Sequence, residues 1–138
     1  MMAVEYGCFA ELAKDSLENS GEMWTRNAIS RAYYSMYHSA LRVVNGEVPT
    51  VDRHGNKIKG GSHTRFFTYL TSGDASFKHN LDLEKTKKLG LKLKANHFHR
   101  VTADYKLGEK VNRLTARSCL LEVDEIERIV TQLIESKP

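Results

Sequence analysis

Within SRAYYSMYHSAL, residues 30–41, an arginine and a histidine stand seven residues apart in a run of serine, alanine, tyrosine, methionine and leucine. Arg31 offers a planar fork of donors that matches phosphate oxygens. His38 titrates near neutrality, so it suits either role in a proton transfer. Scission of RNA by its own 2′-hydroxyl asks for those parts: a base, an acid, and positive charge on the phosphate. Seven helical residues are two turns, roughly 10 Å, so Arg31 and His38 can flank a phosphodiester but cannot grip one oxygen together. The plainer reading has His38 hydrogen-bonded within the fold and Arg31 paired with a carboxylate, and the helix pattern alone favours it.

A second set stands at one-turn spacing: Asn96, Arg100 and Asp104. Arg100 and Asp104 suit an i,i+4 ion pair worth about 0.3–0.5 kcal/mol. In the functional reading the set faces Arg31 and His38 across the fold and makes one polar patch with them. Tyr34 lies on the polar side and can stack on a base, with Asn27 beside it; Tyr33, Tyr37 and Trp24 are read as core. His97 and His99 flank Phe98, but helical residues two apart point in different directions and no third ligand follows at a recognised spacing, so no metal is expected. No glycine-rich phosphate loop opens a helix, and no cofactor is expected.

These residues need helices to hold them. Over about residues 22–45, Ile29, Ala32, Tyr33, Met36, Tyr37, Ala40, Val43 and Val44 gather on one face at 100° per residue. Asn27, Arg31, Tyr34, Ser35, His38 and Arg42 gather on the other. A first helix, about 3–17, carries a stripe of Val4, Cys8, Leu12 and Leu17, with Phe9 and Ala13 beside it. A short helix over 64–70 has Ser62 as its cap and Phe66, Phe67 and Leu70 inward, and TSGDASFKHN reads as a loop. A helix over 83–104 places Leu91, Phe98, Val101 and Tyr105 at heptad-like spacing and exposes Lys85, Lys87, Lys88, Lys92 and Lys94. The last, about 114–136, is amphipathic through Leu120, Val123, Ile126, Ile129, Val130, Leu133 and Ile134. Residues 46–62, rich in glycine and basic groups, read as a flexible loop. No period-two pattern persists, which predicts an all-α, antiparallel up-and-down bundle of four to five helices.

The 138 residues fit a single domain over 1–138, and 41% hydrophobic content with two prolines excludes a disordered chain. No apolar run approaches the roughly 18 residues of a membrane span, and the N-terminus lacks the basic start of a secretory signal. Cys8 and Cys119 read as core thiols of a reduced, cytoplasmic protein. A net charge of +4 and a pI near 9.1 are compatible with nucleic acid without requiring it.

RNAISRAYYSMYHSALRVV, residues 26–44, resembles the first signature helix of the HEPN superfamily, with its Ser-Arg-Ala-Tyr-Tyr-x-Met-Phe/Tyr-His run. HRVTADYKLGEKVNRLTARSCLLEVDEIERIV is similar to the second, where an Arg-x-x-Ala-Asp-Tyr stretch closes one helix and a turn leads to the last. The resemblance implies a four- to five-helix bundle, often dimeric. It carries functional interest onto Arg100, Asp104 and Tyr105, and implies RNA or nucleotide binding. Many members are metal-independent ribonucleases, and several are toxins encoded beside a nucleotidyltransferase. Nuclease members carry arginine, four to six residues, then histidine on the penultimate helix. Here Arg100 is followed by VTADYKLGE with no histidine, and His97 and His99 precede it. Two readings therefore stand. One is a ribonuclease or toxin-type effector with His38 and Arg31 as catalytic residues and Asn27, Tyr34, Asn96, Arg100, Asp104 and Tyr105 binding substrate. The other is a catalytically silent, dimeric interaction module partnering a nucleotidyltransferase or other protein.

Overall fold

The computed structural model describes residues 5–136. The helices are α1 (Tyr6–Glu18), α2 (Glu22–Leu41), α3 (Ser62–Thr71), α4 (Asp74–His79), α5 (Leu83–Tyr105) and α6 (Arg113–Glu135), with a 3-10 turn over Arg42–Val44 that ends α2. The only extended pairing among the described residues is an isolated bridge between Val51 and Lys57. The fold is an all-α bundle.

Side-chain contacts give the helix directions. Phe9 near the start of α1 lies against His38 near the end of α2, while Ser16 accepts a 2.7 Å hydrogen bond from Asn27 near the start of α2. Arg26 at the start of α2 reaches Thr102 and Ala103 at the end of α5. Lys88 and Lys92 early in α5 pair with Glu125 and Glu122 on α6. The four long helices α1, α2, α5 and α6 thus run alternately up and down, with α3 and α4 inserted between the second and third.

Helix α2 is the central element, and its inward face is the one its sequence pattern marks. Ala28, Ile29, Ala32, Tyr33, Met36, Ala40, Val43 and Val44 are buried, packed with Leu89 and Leu93 of α5 and Ile126, Val130 and Leu133 of α6. Two polar clamps hold its ends. At the start, the Arg26 guanidinium donates to the carbonyls of Thr102, Ala103, Lys106 and Glu109, capping α5, and Glu22 accepts from the Val111 amide at 2.9 Å. At the other end, Glu127 of α6 accepts from Tyr6, Ser39 and Arg42.

Several expected placements differ. In α1 Cys8 and Leu12 are exposed, and the buried residues are Ala13, Ser16 and Leu17. The Ser16–Asn27 bond and the Phe9–His38 contact set the helix's rotation, turning the expected stripe partly outward; Val4 lies outside the described residues. Cys8 is therefore not a core thiol, whereas Cys119 is buried. Ser35, assigned to the polar face, is buried, and Trp24, assigned to the core, is partly exposed. TSGDASFKHN contains α4, bracketed by Gly73 and Asn80 in left-handed conformations that start and stop a short helix. Ser62 is the first residue of α3, not its cap. In α5 Leu91, Phe98 and Tyr105 are 60%, 62% and 68% exposed, because Leu89, Leu93, Asn96 and Ala103 face the core instead.

The stretch read as a flexible loop is built of turns and anchored. The Asp52 carboxylate accepts from the amides of His54 and Asn56, Ile58 is buried, and Arg53 pairs with Asp74 at 3.4 Å. Helix α3 lies hard against α5 at Gly90, where a Cβ would come within 2.6 Å of Thr71 and 2.9 Å of Leu70. Glycine in a helix interior costs about 0.5–1 kcal/mol relative to alanine; here it permits the contact that sets α3 in place. No helix among the described residues is long and apolar enough to cross a membrane.

Candidate functional site

The outward side of α2 meets the second half of α5 at Tyr34. Its hydroxyl accepts from Arg100 Nη2. The guanidinium carbons of Arg31 and Arg100 each lie 5.1 Å from its ring centroid, within cation–π range. Arg100 also lies 5.4 Å from the ring of Tyr105. Its Nε is 3.0 Å from Asp104 Oδ2 but its N–H is aimed off that oxygen, so the two form a close ion pair without an aligned hydrogen bond. Ser30 Oγ donates to the same Asp104 oxygen at 3.1 Å, tying α2 to α5.

Arg31 has no such partner. Among the described residues it meets no carboxylate; Nη2 makes a 3.3 Å contact with Ser30 Oγ, and Nε is buried with no hydrogen bond. Two guanidiniums therefore share one aromatic ring, and only that of Arg100 meets a carboxylate.

His38 is exposed and makes no hydrogen bond among the described residues. Its ring stacks on Phe9 at 5.3 Å and 15°, and meets Tyr37 edge-on at 5.5 Å. Desolvation by these rings pushes its pKa below the usual 6.5, so the imidazole is neutral near pH 7.

Two more imidazoles complete the cluster. His63, in the first turn of α3, lies 4.4 Å from the Tyr37 ring, and its Nδ1 is 2.6 Å from the hydroxyl of buried Tyr33. His97 of α5 stacks on His63 at 5.2 Å and 25° and lies 5.3 Å from Tyr33. Burial first, then the charge of His97, Arg100 and His38, depresses the pKa of His63. Burial and Arg100 depress that of His97. The arrangement can stack a ring, offer proton acceptors at neutral pH and neutralise an anion.

The expected substrate-binding set is only partly assembled here. Tyr34, Arg100, Asp104 and Tyr105 meet Arg31. Asn27 spends its amide on Ser16, and Asn96, 4% exposed, donates to the Lys92 carbonyl at 2.8 Å. Each asparagine thus has an amide donor engaged within the helix framework, and Asn27 lines a hollow with Asp104. His63 and His97 join the patch with no expected role. The position of His63 directly after Gly60, Gly61 and Ser62, at a helix start, was the available signal. Among the described residues no group of three His, Cys, Asp or Glu is placed to hold a metal ion.

No family model, curated protein or solved structure matches this chain.

Proposed function

We propose that this chain is a HEPN-like, cytoplasmic protein that binds RNA or a nucleotide at the Arg31–Tyr34–Arg100 patch and cleaves RNA without a metal. The observation that carries this reading is the charge surplus: two guanidiniums around one ring, with Asp104 the one carboxylate between them and Arg31 Nε left buried without a partner. A partly buried cation without its counter-charge costs stability, and a phosphate supplies that charge. Neutral His38, exposed beside the patch, takes the proton of a 2′-hydroxyl as that oxygen attacks phosphorus. The 5′-oxygen departs and takes a proton from water, leaving a 2′,3′-cyclic phosphate and a 5′-hydroxyl. Arg31 holds the charge of the phosphorane. Tyr105, 68% exposed beside Arg100, is the stacking partner for a base.

Binding is tested by titrating fluorescently labelled single-stranded RNA with the wild-type chain and Arg31→Ala at several salt concentrations. Removing one phosphate contact weakens binding at every sequence and lowers the salt slope by about 1. Equal affinity and equal slope in the two proteins would remove Arg31 from the site.

A second reading rests on a different observation. Leu91, Phe98 and Tyr105 recur every seven residues along α5 and are all exposed, which is the seam of a helix pair. No histidine follows Arg100 in the nuclease pattern. A homodimeric, catalytically silent module that partners a nucleotidyltransferase, in a toxin–antitoxin setting, uses that seam and leaves the patch unreactive. RNA binding without cleavage in any salt would favour it.

A further inference from the structure

The polar cluster contains one hydrogen bond whose direction follows from its surroundings. Tyr33 is 1% exposed, and its hydroxyl has a single partner among the described residues, Nδ1 of His63 at 2.6 Å. Burial raises the pKa of this phenol strongly, so it keeps its proton. If Nδ1 carried a hydrogen, the hydroxyl would have to accept it, and the phenolic proton would face the core with no acceptor. The opposite arrangement satisfies both groups: the Tyr33 O–H donates and Nδ1 accepts.

That assignment fixes the ring. A neutral imidazole carries one N–H, so with Nδ1 accepting, the hydrogen sits on Nε2. The ring is held between Tyr37 at 4.4 Å and His97 at 5.2 Å, and turning it over would exchange Nδ1 for a carbon and break the bond to Tyr33. Nε2 has no hydrogen-bond partner among the described residues, and His63 is only half-buried. Arg100 stands three residues after His97 on α5, on the same side of that helix as the imidazole that stacks on His63; its Nη2 is committed to Tyr34 and its Nε lies beside Asp104, while Nη1 makes no hydrogen bond among the described residues.

We infer that His63 is locked by Tyr33 as the Nε2–H tautomer and that this N–H, with Arg100 Nη1, forms a cradle for a phosphate group. His63 is in this account a binding residue and not a proton carrier. His38, which has no ring-nitrogen partner, keeps the proton-transfer role. The inference rests on the nucleic-acid reading only for the identity of the larger molecule; the cradle itself recognises a phosphate monoester or diester.

The test uses the whole chain labelled with nitrogen-15 at histidine. Long-range proton–nitrogen correlation spectra at a pH above the histidine range read the tautomer directly. They are repeated during titration with inorganic phosphate and with uridine monophosphate. Three variants accompany it, each checked by circular dichroism. His63→Gln places an amide N–H near the position of Nε2; His63→Asn can still accept from Tyr33 but does not reach that position; Tyr33→Phe removes the lock.

The expected results are an Nε2–H signal for His63 that shifts on adding either phosphate compound, near wild-type affinity in His63→Gln, and a loss of roughly tenfold or more in His63→Asn. In Tyr33→Phe the single tautomer gives way to a mixture. An Nδ1–H tautomer in the wild type, no binding of either phosphate compound, or unchanged affinity in His63→Asn would each overturn the cradle. Phosphate binding through His63 in a chain that never binds RNA would keep the cradle and remove the nucleic-acid reading.

Discussion

Arg31 and Arg100 differ in what holds them. Arg100 is bound on three sides, by Tyr34, Asp104 and the Tyr105 ring, whereas Arg31 has Tyr34 and a long contact to Ser30. Arg100→Ala is therefore expected to lower stability as well as RNA affinity, and Arg31→Ala to lower affinity alone; thermal melts of the two variants separate these outcomes. The three histidines give a pH signature. Burial of the half-buried His63 and His97, and desolvation of the exposed His38 ring where it packs on Phe9, depress each pKa below 6.5, so as the pH falls the unfolded chain takes up protons first. Their contribution to stability is complete above about pH 6.5 and is lost as the pH falls from there through the lowered folded values. The groups facing them are Phe9, Tyr34 and Tyr37 at His38; Tyr33, Tyr37, Phe67, His97, Arg100 and His38 at His63; and Tyr33, His63, Phe67 and Arg100 at His97. Tm measured from about pH 7.5 down to about pH 5 is expected to fall, and to fall less in His63→Gln. A Tm independent of pH over that window would contradict the burial argument. Arg31, Tyr34 and His38 were legible because they sit on α2, whose polar face the periodicity reveals, and Arg100 only through its one-turn spacing to Asp104. His63 was not. It sits on a separate helix, and its meeting with Tyr33 and His97 is a tertiary event with no local pattern.

Helix α3 carries His63, and Gly90 lets α3 lie where it does. Gly90→Ala sets a methyl 2.6 Å from Thr71 and 2.9 Å from Leu70. The expected outcome is a loss of about 1–3 kcal/mol by overpacking, larger than any gain in helix propensity, measured by urea denaturation. A gain in stability would show that α3 gives way freely. Arg26 ties α2 to the end of α5: Arg26→Ala is expected to cost about 1–3 kcal/mol by leaving the carbonyls of Ala103 and Glu109 without this donor, whereas those of Thr102 and Lys106 keep the amides of Lys106 and Glu109. The inward face of α2 could be read in large part: Ile29, Ala32, Tyr33, Met36, Ala40, Val43 and Val44 are buried, while Tyr37 is only partly so and the buried small residues Ala28, Ser30, Ser35 and Ser39 carry no such signal. The rotation of α5 could not. Leu91, Phe98 and Tyr105 share a helical face with one another, but Leu89 and Leu93 share another, and only packing against α2, α3 and α6 chooses between them. Helix α4 was missed because its six residues are too few for a periodic signal.

The charge of the whole molecule is less available than its net of +4 implies. Lys88 and Lys92 are paired with Glu125 and Glu122, so the lysine face of α5 is in part neutralised, and on α4 Lys78 is paired with Glu47. Arg31 and Arg100 are partly buried and have one carboxylate, Asp104, beside them. The exposed seam of Leu91, Phe98 and Tyr105 lies on the same helix as Arg100, so a homodimer formed there brings a second copy beside each patch. Light scattering is expected to give twice the chain mass for the wild type and a single chain mass for Leu91→Glu/Phe98→Glu. A single mass for both would remove the dimer and leave the patch complete within one chain.

The most direct measurement is cleavage of mixed cellular RNA and tRNA by the purified chain in EDTA, beside His38→Ala of verified fold. The wild type is expected to give fragments with 2′,3′-cyclic phosphate and 5′-hydroxyl ends, and His38→Ala to lose about 10²–10⁴-fold in rate, the ordinary reach of a general base. Cleavage undiminished in the variant, or none by the wild type at any salt concentration, would contradict this expectation.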